Sequence, residues 1–191
     1  MKKGFTLIEV LVSVSIFAMV MLIATGSVFS IVAANKKTHA IKSVMTNLNF
    51  ALESMMREIR LGSRYACGQS IPLDTAADCQ SGASVFRFKA NRDVGNSDAP
   101  GAYNPDDIYD QIEYSILNGQ IIKKVYDASG NTNFAITAAE VHVTSLMFYV
   151  TGAMTVGQPK VVITVQGYSG SNDTQSQFDI ETTVSQRAID S

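Results

Sequence analysis

From Val10 to Ala34 the chain runs for 25 residues without a formal charge or a proline. About 20 apolar residues suffice to cross a bilayer as a helix, so this run is long enough to span one. It is too long for an ordinary secretory signal, whose apolar region covers about 7–15 residues. The run also lacks a helix breaker. No proline occurs before Pro72, and Gly26 is the only glycine between Gly4 and Gly62, so one helix can extend over nearly sixty residues. A single carboxylate, Glu9, stands at the entrance. At depth in a bilayer it costs roughly 2.5–3.5 kcal/mol, and such a group calls for a partner.

Beyond Lys36 and Lys37 the helical pattern becomes one-sided. Ile41, Met45, Leu48, Leu52, Met55 and Ile59 recur at spacings of three and four, which makes one apolar stripe. The stripe is under three heptads long, too short to argue for a coiled coil, and its expected cover is the chain's own sheet. Glu53 and Arg57 are placed for an i,i+4 pair, and Gly62 and Ser63 mark the helix end.

After Gly62 the apolar residues alternate instead. Gln111–Leu117 and Gln120–Tyr126 flank Asn118-Gly119, whose two residues suit a type I′ turn, and this predicts a hairpin. Further strands are expected at Val85–Lys89, Glu140–Val150, Lys160–Tyr168 and Gln177–Val184, giving an antiparallel meander of four to six strands. A sheet with one apolar face and a helix with one apolar stripe complete each other as a two-layer α+β unit. The 150 or so residues after the apolar run suit one domain with its own core.

Cys67 and Cys79 are the only cysteines. A disulfide closing so short a loop stabilises by about 3 kcal/mol in the chain-entropy model and is the favoured state. Free thiols and a zinc site are the alternatives, the latter poorly served by His39 and His142. Asp93, Asn96, Asp98, Asp106, Asp107 and Asp110 form an oxygen-rich loop, the one place for calcium, yet the spacing fits no calcium template and no cofactor is expected. There is no nucleophile elbow, phosphate loop or Cys-His pair, and two histidines leave little for acid–base chemistry. The formal charge is -2, and no basic patch with interleaved aromatics points to nucleic acid.

The string Gly4-Phe5-Thr6-Leu7-Ile8-Glu9 after Lys2-Lys3 resembles the class III signal of type IV pilins and type II secretion pseudopilins. The resemblance implies the pilin fold and a prepilin peptidase that cuts between Gly4 and Phe5 and methylates the new amine of Phe5. It implies residues 1–4 as leader, 5–34 as the transmembrane and filament-core helix, and 35–191 as a globular domain that includes the amphipathic half of the helix. Glu9, one helical turn beyond Phe5, would neutralise the Phe5 amine of a neighbouring subunit.

Residues 50–62, with the triplet Glu58-Ile59-Arg60, and the tail 178–187 are similar to minor pilins of the W type and minor pseudopilins of the J type. Because the extreme tip subunit of such families lacks the carboxylate, Glu9 implies a place beneath another subunit near the tip. The partners implied are other subunits, an inner-membrane assembly platform and membrane lipid. The amino terminus would be cytoplasmic and the domain extracytoplasmic, before transfer into a filament. The competing expectation is a single-pass, membrane-anchored binding or sensor domain.

Overall fold

The computed structural model describes residues 4, 6–68, 75–90, 111–127, 130–154, 157–169 and 175–187. One helix and nine strands lie among them. The helix α1 covers Leu7–Leu61, 55 residues, as the absence of breakers predicts. The chain divides into two compact units, Met1–Lys42 and Ser43–Ser191, so α1 contributes to both.

Within the second unit the strands are β1 (Ser63–Cys67), β2 (Cys79–Ala83), β3 (Phe86–Lys89), β4 (Gln111–Leu117), β5 (Gln120–Asp127), β6 (Gly130–Ala135), β7 (Val141–Thr151), β8 (Lys160–Ser169) and β9 (Ser176–Ser185). They form two sheets in place of the single meander of four to six strands. One has the order β1-β3-β4-β5-β6 and the other β2-β7-β8-β9, and neighbouring strands among the described residues pair antiparallel. Three strands escape the alternation rule for physical reasons. β1 carries Arg64 at φ 53°, β2 reads Cys-Gln-Ser-Gly-Ala, and β6 reads Gly-Asn-Thr-Asn-Phe-Ala. Residues of this kind are depleted in strands, and each of the three forms because a stronger neighbour supplies its ladder.

Both sheets and the end of α1 share one core. Val44, Leu48, Leu52, Met55 and Ile59 are buried with Tyr65, Phe88, Ile112 and Tyr114 of the first sheet and Leu146, Phe148, Val161 and Ile163 of the second. Four of the six predicted stripe residues are thus fully buried, while Ile41 and Met45 are half-buried. Phe86 of β3 stacks on Phe148 of β7 with ring centroids 5.1 Å apart, tying sheet to sheet. The β4–β5 turn has the expected form, with Asn118 at φ 53° and Gly119 at φ 75°. The Gly119 carbonyl accepts from the Val143 amide at 2.8 Å, next to the register break of β7.

Polar contacts then fix the helix end against the sheets. The Glu58 carboxylate accepts from the Tyr114 hydroxyl at 2.6 Å and pairs with Lys123 Nζ at 2.6 Å. Both partners of that ion pair are largely withdrawn from water, at 21% and 16% side-chain exposure, so loss of either would leave a poorly solvated charge. Helix carbonyls near a C-terminus lack intrahelical donors. Here the Arg187 amide donates to the Arg60 carbonyl at 2.8 Å and the Gln186 side chain to the Gly62 carbonyl at 2.9 Å. Gly62 itself lies so close to the Phe88 ring that a Cβ would stand 2.2 Å from a ring carbon, which excludes any larger residue. The expected Glu53–Arg57 pair is present at 3.4 Å but exposed, and contributes only a few tenths of a kcal/mol.

A disulfide joins Cys67, the last residue of β1, to Cys79, the first of β2, with Cα atoms 6.1 Å apart. It links the two sheets at their edges. Replacing both cysteines by serine is expected to lower stability by about 3 kcal/mol. Denaturant midpoints of the oxidised chain and the variant measure this, and equal midpoints would contradict it.

The Tyr65 hydroxyl donates to the Ile59 carbonyl, and burial pushes its phenol well above the ordinary 10.0. A raised folded-state value means a contribution that is complete below pH 10 and lost as pH climbs toward the folded value. Tyr65→Phe should therefore cost about 1 kcal/mol at neutral pH and flatten the loss of stability above about pH 10. Midpoints taken across that range provide the test, and parallel curves would refute it.

Candidate functional site

The helix starts at a defined residue. The Thr6 carbonyl accepts from the Glu9 amide at 3.1 Å and the Val10 amide at 3.3 Å, which makes Thr6 the cap and Glu9 the third helical residue. Thr-x-x-Glu is the spacing of a capping box, and a carboxylate in the first turn gains about 0.3–1 kcal/mol from the helix dipole. Local structure thus accommodates Glu9 but does not neutralise it. The residue is exposed, and no hydrogen bond or ion pair joins its carboxylate to another described residue.

From Leu7 to Ala34 the first unit is apolar on all sides. Leu7, Ile16, Phe17, Met19, Leu22 and Ile31 are all more than half exposed, and at about 100° per residue they point around the full circumference of the helix. No residue of the most apolar stretch is buried in the structure, which separates it from the core helix of a globular protein. Four of the five hydroxyl side chains between Val10 and Ala34 bond within the helix. Ser13, Ser15, Thr25 and Ser27 donate to the carbonyls of Val10, Leu11, Met21 and Ile23 at 2.8–3.0 Å. Back-bonding of this kind satisfies a hydroxyl hydrogen in hydrocarbon without a partner from outside the helix. What remains is a smooth apolar cylinder with one charge, Glu9, in its first turn. Such a surface requires lipid or other apolar helices around it.

Gly4 is exposed, and a Cβ built on it meets nothing within 4 Å. The chain's own fold therefore gives no steric reason for glycine there. Phe5, the expected cleavage and methylation residue, lies outside the described residues, as do Lys2, Lys3 and the acidic loop from Asp93 to Asp110. Cys67 and Cys79 belong to the second unit and are joined there as the disulfide. Among the described residues no three His, Cys, Asp or Glu side chains converge as a metal site would require. Sequence patterns do not reveal the Glu58–Tyr114–Lys123 cluster, because its members are 56 and 65 residues apart. The Thr6-x-x-Glu9 capping spacing was legible in principle.

Residues 1–25 match the family model described as the prokaryotic N-terminal methylation motif, a type IV pilin-like prepilin signal. In comparisons with curated proteins and with solved structures, nothing matches this chain. The matched residues include Glu9 and the first part of the exposed apolar helix.

Since a Cβ at Gly4 meets nothing within 4 Å, Gly4→Leu is expected to shift stability by less than about 0.5 kcal/mol. Unfolding midpoints of the full chain in detergent check this, and a larger shift would show that Gly4 serves the fold.

Proposed function

We propose that the chain is a prepilin: a structural subunit stored in the inner membrane by its amino-terminal helix, processed by prepilin peptidase and assembled with other pilin-like subunits into a filament. The observation that carries this is the coincidence of the methylation motif with a bare apolar cylinder whose one charge, Glu9, has no partner among the described residues. Proteins bearing this motif are structural rather than enzymatic. The α+β architecture, with one long helix and antiparallel sheets, agrees with the same assignment.

In this proposal the peptidase cuts after Gly4 and methylates Phe5. Residues 5–34 then serve in turn as membrane anchor and filament core, and residues 35–191 form the extracytoplasmic domain. The new amine and Glu9 are each costly in hydrocarbon, and a contact between the amine of one subunit and Glu9 of the next offsets both. The finer assignment follows from the resemblances at the helix end and the tail. It is a minor subunit of the J or W type, in a type IV pilus or secretion pseudopilus, engaged with the inner-membrane platform and lying beneath another subunit near the tip.

Glu9→Leu separates storage from assembly. Removing the carboxylate keeps the anchor apolar, so the variant should remain in the membrane fraction after alkaline extraction. Its incorporation into sheared filaments should fall by about tenfold or more, the equivalent of one lost charge pair of about 1.4 kcal/mol. Incorporation equal to the wild type would contradict the role given to Glu9.

A further inference from the structure

Four strands end the two sheets: β1 and β6 in one, β2 and β9 in the other. Exposed edges invite pairing with other chains, and proteins blunt them with short strands, bulges, prolines or cover. Two of these edges are blunted, and the third, β6, bears no charge. β1 has five residues, a register break after Ser63 and a carbonyl, that of Tyr65, already bonded to the Ala77 amide at 2.8 Å. β2 has five residues, a register break and Gly82 at φ 77°. β6 has six residues and opens on Gly130 at φ 132°.

The fourth edge has none of these devices and is guarded by charge alone, in Asp179 and Glu181. β9 runs ten residues without proline, lysine or register break, paired on one side only, with β8. Which of its backbone groups face outward follows from one hydrogen bond. The Gln186 amide donates to the Pro159 carbonyl at 3.0 Å, so Gln186 points toward β8 and the residues alternate from there. Gln177, Asp179, Glu181, Thr183 and Ser185 therefore turn both N–H and C=O away from β8. The next residue of that series, Arg187, points the same way and meets the Arg60 carbonyl, where the free edge ends. No backbone hydrogen bond joins the other five to another described segment. Their side chains, all exposed, share one face that bears two carboxylates and no cation.

We infer that the β9 edge is a β-augmentation site that accepts an extended strand from a different polypeptide, one carrying lysine or arginine at alternate positions. Backbone groups spaced along an open edge are complementary to an extended strand. The two carboxylates choose its charge, because opposite charges across strands stabilise and like charges oppose. They also select against a second copy of this chain. The antiparallel registers that keep most of the pairing set Glu181 opposite Asp179 or opposite another Glu181. The site does not depend on the filament proposal, since it would exist equally in a tethered domain.

The test uses the full chain in detergent and three ten-residue peptides. The first alternates lysine with threonine and valine, the second has glutamate for lysine, and the third is the first with a central proline. The lysine peptide should bind about tenfold more tightly than the glutamate peptide, and the proline peptide should not bind. On binding, amide exchange should slow at Gln177, Asp179, Glu181, Thr183 and Ser185, whereas the intervening amides are already held by β8. Thr183→Pro removes only an outward N–H and should abolish binding while leaving the unfolding midpoint close to wild type. Asp179→Lys with Glu181→Lys keeps the edge and should reverse the preference between the two charged peptides. Absence of lysine-peptide binding, equal affinity for both charges, protection on β6 instead, or an unchanged preference in the double variant would each overturn the site.

Discussion

Everything in this molecule depends on how α1 hides its apolar surface, and the helix faces that problem twice with different answers. From Ser43 to Leu61 most apolar residues lie on one side and two sheets of the same chain cover them, while Phe50 and Leu61 stay exposed. From Leu7 to about Val32 they lie on every side, and none of the described residues covers them. A surface of that kind in water would drive association by itself, at roughly 25 cal/mol for each Å² withdrawn. A bilayer and a bundle of like helices both satisfy it. A segment able to exchange one for the other is what a subunit stored in a membrane and later polymerised requires.

The domain holds its share of the helix by directional contacts as well as by area. Burial of Leu48, Leu52, Met55 and Ile59 supplies most of the stabilisation, but apolar contacts alone would tolerate sliding along the axis. Glu58 is set between Tyr114 and Lys123, and the amide of Arg187 meets the carbonyl of Arg60, so the position of the last turns is specified. The disulfide acts at another place, across the two sheet edges. Force on the helix would thus be passed to β4, β5 and the end of β9 through charged and backbone hydrogen bonds.

The sequence discloses those parts in which local pattern and final environment coincide. The unbroken helix, the apolar stripe and the Asn118-Gly119 turn are legible because each depends on residues close together in the chain. So are β4, β5, β7, β8 and β9, whose alternation mirrors one buried face. The edge strands are harder to see. β2 and β6 are polar and glycine-bearing, and they are strands only because β7 and β5 offer them partners. The same holds for the Glu58 cluster and for the free edge of β9, which require knowledge of which strand lies beside which. At the candidate site, Glu9 was conspicuous as a charge in an apolar run, whereas its place at the third helical position emerged only with the helix start.

The central claim is that the first residues are a processing signal and that the apolar helix stays in the product. It is tested most directly by the intact mass and amino-terminal residue of the chain extracted from membranes of its own cells. The account predicts a chain that lacks Met1–Gly4 and begins at Phe5 with one added methyl group. A chain that keeps Met1–Gly4, or one cut after the apolar run, would contradict it.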